Sequence, residues 1–430
     1  MRRRVIVGAL IAGLVAATVV GLRASGQIRL MAMMVASVLY VVVLYLARRH
    51  WVVPPRFTML ALVVVLGVGL CGPPQRSRDV WAYATYGQMV RDGHDPYVER
   101  PAEITTNAFT KRMAPGWKHA RAVYGPGFLA VATVGMTVVA HAPVSTQNRP
   151  VLARLWFQFV ATLALLGALT ILWRTTRDPV ALFALGLLPV VTIAIVHEAH
   201  NDLLVGVAML GAVVMARKRP VVGVMVGSLG VLIKVSALLP LAGLVWWVLF
   251  HHGWKRAMKG AVCALLVIGA AYGAAGGQRV VQPILAADRL MSSSSIWSLD
   301  LLASVHLAQL SVAVLAVAVL MARRRDSDGA LAVAGTGLAY LLAAAYVLPW
   351  YSGWVLPAAV LGWRSRTTQL LLLFSTLSFI TYGTGTTFDS RVLSEIHHQM
   401  IRRYLPLFEI AAVAALAVAS VRRARLPRGS

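Results

Sequence analysis

Asp79 stands in RSRDVWAY (76–83), directly after an apolar run and at the head of a polar stretch that continues to Arg121. A carboxylate can act as a general base if it is ionised, positioned and within reach of the proton it removes. Arg76 and Arg78 flank it, and a nearby guanidinium favours the charged form. Trp81, Tyr83 and Tyr86 follow, then Asp92 and the turn GHDPY at 93–97, which carries Asp95. A plainer reading is a helix cap, because Ser77 and Asp79 are both good N-cap residues.

Three other groups bear chemistry. VHEAHND (196–202) gathers His197, Glu198, His200, Asn201 and Asp202 at a helix start between two apolar runs. Such groups are expensive near hydrocarbon unless they face a cavity or each other, although Asn201 and Asp202 also suit a cap. The histidines are not spaced for a zinc protease, which needs them four apart. Lys234 lies alone in GVLIKVSALLP, placed either to meet a phosphate as a point charge or to snorkel. LPWYSGW (348–354) offers Trp350 and Tyr351 as sugar-stacking faces or as interfacial anchors. Arg402 and Arg403 are further cationic candidates. The single Asp-x-Asp, Asp326-Ser327-Asp328, lies beside three arginines and reads as a solvated turn. No Walker loop or strand-flanked glycine fingerprint occurs. No metal or cofactor is expected.

The elements that must position these groups are membrane helices. Of 430 residues, 59% are hydrophobic and 13% charged, and the mean hydropathy is +0.73. The formal charge of +26 lies in short loops between apolar runs, which membrane orientation explains better than a nucleic-acid surface. Spans are expected near 5–23, 29–47, 57–71, 151–173, 178–197, 201–216, 220–234, 236–251, 259–276, 299–320, 330–349, 352–364, 368–383 and 404–421, about fourteen in all at the length a bilayer requires. The first resembles a secretory signal but shows no clear cleavage site, and reads as an uncleaved span. Cys71 and Cys263 fall toward opposite faces, so a disulfide is not expected.

One further apolar run, 124–142, decides the parity. If it crosses, MARKRP, MARRRD and the RRARLPR tail all fall outside. If it lies on the outer face, the basic loops agree. The cytoplasmic side then holds more than half of the Lys and Arg but only Asp178, Asp326 and Asp328 of the acids, as the positive-inside rule describes. Gly125, Pro126 and Gly127 also suit a broken element. Residues 124–142 are therefore expected as an outer juxtamembrane helix, with both termini cytoplasmic and the loops 72–150, 277–298 and 384–403 outside.

DVWAY followed by GHDPY, then YGPG (124–127), HND opening a helix, the later lysine and PWY resemble the GT-C membrane glycosyltransferases, in order over roughly residues 57–360. Among them the chain is most similar to the actinobacterial polyprenol-phosphate-mannose-dependent α-1,6-mannosyltransferases. The resemblance implies an all-α polytopic GT-C fold with juxtamembrane helices in the first outer loop. It divides the chain into 1–56, a helix pair; 57–251, the catalytic module; and 252–430, C-terminal spans. It also implies an inverting, metal-independent transfer from a polyprenyl-phosphate-linked sugar donor to a lipid-anchored glycan acceptor among the membrane lipids of the outer face, with no nucleic-acid partner. Asp79 matches the catalytic loop carboxylate. Arg78, Tyr83, Asp95, Tyr124, His200, Asn201, Asp202, Lys234, Trp350, Tyr351, Arg402 and Arg403 are the expected substrate contacts. The motifs leave glucose and arabinofuranose donors open, and a lipid-linked sugar flippase is the rival class.

Overall fold

The computed structural model describes residues 2–104, 108–286, 328–344, 346–382 and 391–424. Among them there is no strand. The helices of eight or more residues begin with α1 (Arg2–Arg23), α2 (Gly26–Arg48), α3 (Pro55–Leu70) and α4 (Asp79–Arg91). They continue with α5 (Pro126–His141), α6 (Arg149–Thr176), α7 (Pro179–Gly186), a π-helix (Val190–His197), α8 (Asp202–Ala216) and α9 (Pro220–Ile233). Then come α10 (Leu238–His252), α11 (Trp254–Ala274), α12 (Gln278–Ala286), α13 (Gly329–Ala343), α14 (Arg366–Thr381), α15 (Arg391–Gln399) and α16 (Leu405–Ala424). Proline opens α3, α5, α6, α7 and α9 in the first turn, where its missing N–H has no partner to lose.

Among the described residues five segments are long and apolar enough to cross a bilayer: α1, α2, α6, Val235–His252 and α11. The α7/π-helix pair makes a sixth if its 52° bend is counted within one span. The chain is a multi-pass helical membrane protein. Two expected spans take other forms. Residues 178–197 are not straight, because Pro189 interrupts them. Residues 352–364 are a string of short turns, Pro349–Trp354, Leu356–Ala359 and Val360–Gly362, punctuated by Pro349, Gly353 and Pro357. Such irregular backbone is tolerated at depth only where protein encloses it, and most of this string is buried. The span expected at 299–320 lies outside the described residues. Cys71 and Cys263 are free.

The helices alternate between two ends of the bundle. One end is marked by Arg3 over the Trp51 ring, Trp363 bonded to Asp178 at 2.7 Å, and Arg217 on Asp328 at 3.0 Å. The other carries the polar residues of interest. The segment from Gly72 to Asn148 stays at that second end. Gly125 donates its N–H to Ile233 at 3.0 Å as α5 begins, and Gln158 of the following α6 bonds Gly72 and His197. Helix α5 therefore leaves and returns at the same end, packed on α4. An aromatic core holds this layer together: Tyr83 meets Tyr124 at 5.1 Å, Phe128 at 4.8 Å and Phe157 at 5.6 Å, all edge-on, as ring quadrupoles prefer.

Candidate active site

The loop 71–78 after α3 makes few backbone bonds of its own, and its anchor is a side chain from elsewhere. Buried Glu198 accepts the backbone N–H groups of Gln75, Arg76 and Ser77, the last at 2.9 Å, and faces Arg29 Nη2 at 3.4 Å. Ser77 Oγ then accepts the N–H of Asp79 at 3.1 Å and supports the first turn of α4. Arg78 is the N-cap and makes no side-chain cap bond, and no backbone N–H occupies the Asp79 carboxylate.

That carboxylate is 18% exposed and stands 3.6 Å from His200 Nδ1. Burial raises its pKa to about 6; Lys234 and Ser77 oppose the rise, while Asp202 and Glu198 add to it. His200 has neither ring nitrogen hydrogen-bonded and stacks on Trp350 at 3.8 Å. Burial, and then Lys234, hold it well below the usual imidazole value, so the ring is neutral. It reaches this place through a sharp turn in which Ala199 takes φ 64°, a left-handed conformation uncommon outside glycine.

Asp202 opens α8 fully buried. Its Oδ1 accepts Lys234 Nζ at 2.7 Å and the Trp354 indole N–H, and its Oδ2 has no partner. Lys234, just past the end of α9, also lies over the rings of Tyr351 at 4.6 Å and Trp354 at 5.4 Å. The 349–354 turn comes this close because α8 carries Gly206 opposite it: a Cβ there would stand 2.2 Å from the Gly353 carbonyl. Arg76 Nη1 donates to the Tyr382 carbonyl at 2.6 Å, and Tyr382 meets Trp350 edge-on at 5.0 Å. Burial lowers Arg76 to about 10, which leaves it cationic at neutral pH.

These groups surround one cavity of about 300 Å³, lined among others by Arg76, Arg78, Asp79, Tyr124, Lys234 and Trp350. His200 and Asp202 support it from behind. A second cavity of about 690 Å³ shares Ala114, Trp117, Val123 and Tyr346 with the first and adds Arg100, His119 and Arg121. The two cavities are neighbours, and Trp117 is among the residues that line both. Among the described residues no cluster of three or more metal-ligating side chains occurs.

Of the expected contacts, Asp79, Arg78, Tyr124, Lys234, Trp350 and Tyr351 line the cavity and His200 and Asp202 back it. Tyr83 is enclosed in the aromatic core and does not line it. Asp95 accepts the Tyr97 N–H at 2.9 Å and lines a different groove, holding the GHDPY turn. Asn201 is buried with its amide unpartnered and caps nothing. Arg403 is exposed and off the cavity, and the Arg402 side chain lies outside the described residues. Arg76 and Glu198 stood in the sequence motifs but not among the expected contacts, and Trp117 and Trp354 were not expected at all. Trp354 was the most readable of these, four residues beyond Trp350 in the same motif.

In its described site this helical membrane protein sets a carboxylate, a lysine and stacked aromatics around one cavity. Its sequence defines the group more closely. Residues 4–250, more than half of the chain, match the family described as "Alpha-(1->6)-mannopyranosyltransferase, N-terminal domain", and the chain belongs to this family. It is 27% identical over 345 residues to alpha-(1->6)-mannopyranosyltransferase A of Mycobacterium tuberculosis, covering 70% of this chain and 65% of that protein. It is 28% identical over 211 residues to the protein of the same name from Corynebacterium glutamicum, 47% of this chain and 40% of that one. A further M. tuberculosis alpha-(1->6)-mannopyranosyltransferase is 29% identical over 153 residues, 33% and 24% of the two chains. The chain thus spans less than two thirds of the curated relatives it matches. No solved structure matches it.

Proposed function

We propose that this protein transfers a mannosyl residue from a polyprenyl-phosphate donor to a lipid-anchored α-mannan acceptor at the outer face of the plasma membrane. The observation that carries the reading is the cavity on which the Asp79 carboxylate and the Lys234 ammonium converge, in a chain whose family is that of the α-(1→6)-mannopyranosyltransferases. Asp79, with a pKa near 6, is mostly ionised at neutral pH yet basic enough to take a proton in the transition state. It removes the acceptor hydroxyl proton as that oxygen attacks the anomeric carbon. The bond from that carbon to the phosphate oxygen breaks on the opposite side, so the configuration inverts. Lys234, Arg76 and Arg78 oppose the charge that grows on the departing lipid phosphate. The scheme uses no metal.

His200 orients the Asp79 carboxylate, Asp202 holds Lys234, and Trp350 and Tyr351 offer faces for the sugar. The acceptor enters by the second cavity, past Trp117. In this reading the fold is a GT-C arrangement of about fourteen spans with α4 and α5 in an outer juxtamembrane layer. Both termini are cytoplasmic, and residues 57–251 form the catalytic module between the 1–56 helix pair and the C-terminal spans.

The test is transfer of labelled mannose from polyprenyl-phosphomannose to a short α-mannoside by purified protein in detergent. Transfer that survives Asp79→Asn removes the assigned base. Transfer from a glucosyl or arabinofuranosyl donor in place of the mannosyl one reassigns the sugar. Absence of transfer from every polyprenyl donor refutes the class and favours a flippase.

A further inference from the structure

Glu198 lies outside the cavity, yet it is the most heavily engaged carboxylate in the described structure. It is 2% exposed and takes three successive backbone N–H groups, those of Gln75, Arg76 and Ser77, within 2.9–3.2 Å. Consecutive N–H groups converging on one anion form a nest, and here a protein carboxylate fills it. The fastening extends outward. Arg29 faces Glu198 and donates to Gln75 Oε1 at 2.6 Å, Gln75 Nε2 donates to the Leu22 carbonyl, and Arg76 holds the Tyr382 carbonyl.

Two features connect this anchor to chemistry rather than to packing alone. The nest ends at Ser77, whose hydroxyl oxygen takes the Asp79 N–H. In addition, Glu198 and His200 are separated only by Ala199 in its left-handed turn, so one turn of chain holds the loop backbone and faces the Asp79 carboxylate. We infer that Glu198 is a positioning residue for Asp79: by clamping the 75–77 backbone it sets where the base stands relative to His200 and Lys234. The inference rests on the mannosyltransferase reading above.

Three variants test it in the transfer assay, each with a pH profile and a thermal unfolding curve. Glu198→Gln keeps the shape but loses the charge and one acceptor oxygen. Its kcat is expected to fall about ten- to a hundredfold, the scale of a small misplacement of a catalytic group, with both KM values within about twofold. The acid limb shifts to lower pH, because the Glu198 charge raises Asp79. Glu198→Asp, which keeps the charge on a shorter arm, recovers the acid limb and part of kcat. Ser77→Ala leaves the nest intact and is expected to lower kcat while shifting the acid limb upward, since the Ser77 hydroxyl lowers Asp79. An unchanged kcat and acid limb in Glu198→Gln overturns the inference. So does a loss in that variant that merely tracks the fraction unfolded. If Glu198→Gln does not fold, Ser77→Ala decides alone, and a wild-type kcat and profile there overturns it. Wild-type protein inactive with every donor defeats the reading beneath; active wild type with insensitive variants defeats only the role of Glu198.

Discussion

The Asp202 carboxylate and the Lys234 ammonium meet at 2.7 Å across 32 positions of sequence, where α8 begins and α9 ends. The pair closes the α8–α9 hairpin and sets a cation at the mouth of the cavity. Removing one partner from a buried pair is costly because the other charge is left uncompensated. Lys234→Met is expected to destabilise by about 3–5 kcal/mol and to abolish transfer. Lys234→Met with Asp202→Asn removes both charges and should recover most of the melting temperature while transfer stays at least about tenfold down, as loss of one charged contact implies. Restored transfer in the double variant would show that the lysine serves only its partner.

Asp79 carries a stability cost. Its folded pKa, about 6, lies above the ordinary 3.8. Its stabilising contribution is present below the unfolded value and is lost as pH rises through about 6. Asp79→Asn should therefore be more stable than wild type at pH 8, by on the order of 3 kcal/mol, with about half that gain at pH 5 and little at pH 3, while transfer falls about 10²–10⁴-fold. A variant less stable than wild type at pH 8 would contradict this account.

The same value sets the pH profile. The base must be ionised, so kcat/KM should be level above pH 7 and fall about tenfold per unit well below pH 6. His200 adds no limb near neutrality, since its pKa is held well below the usual value. An acid limb near pH 4 would mean that Asp79 is solvated when the enzyme works.

Trp117 lines both cavities. Trp117→Ala is expected to raise the acceptor KM about tenfold, a loss of about 1.4 kcal/mol, with the donor KM unchanged. Equal effects on both substrates would place the acceptor elsewhere.

Gly125 sits between Tyr124 and the start of α5, and a Cβ there would stand 2.3 Å from the Leu232 carbonyl. The two nearest atoms belong to the Leu232 backbone, which has little freedom to yield. Gly125→Ala should cost about 1–3 kcal/mol and lower transfer by moving Tyr124 and Lys234 apart. Wild-type melting and transfer would show that the contact relaxes freely.

Much of this protein was readable without coordinates, and for one reason: in a chain this apolar, each ionisable residue placed near a span is conspicuous because keeping it there is expensive. Hydropathy alone determined the polytopic helical class. Residue type and exposure cost together marked Asp79, His200, Asp202, Lys234 and the PWY aromatics. Sequence distance carries no information about which of these meet. Only the tertiary structure decided that Lys234 holds Asp202 and not Asp79, that Tyr83 belongs to an aromatic core, that Asp95 serves its own turn, and that Trp354 completes the Asp202 shell. It also turned Glu198 from one polar residue among several into the clamp on the Asp79 loop. Such pairings depend on helix register and on close approaches permitted by Gly125 and Gly206. Those are long-range steric facts that periodicity along a single helix cannot express.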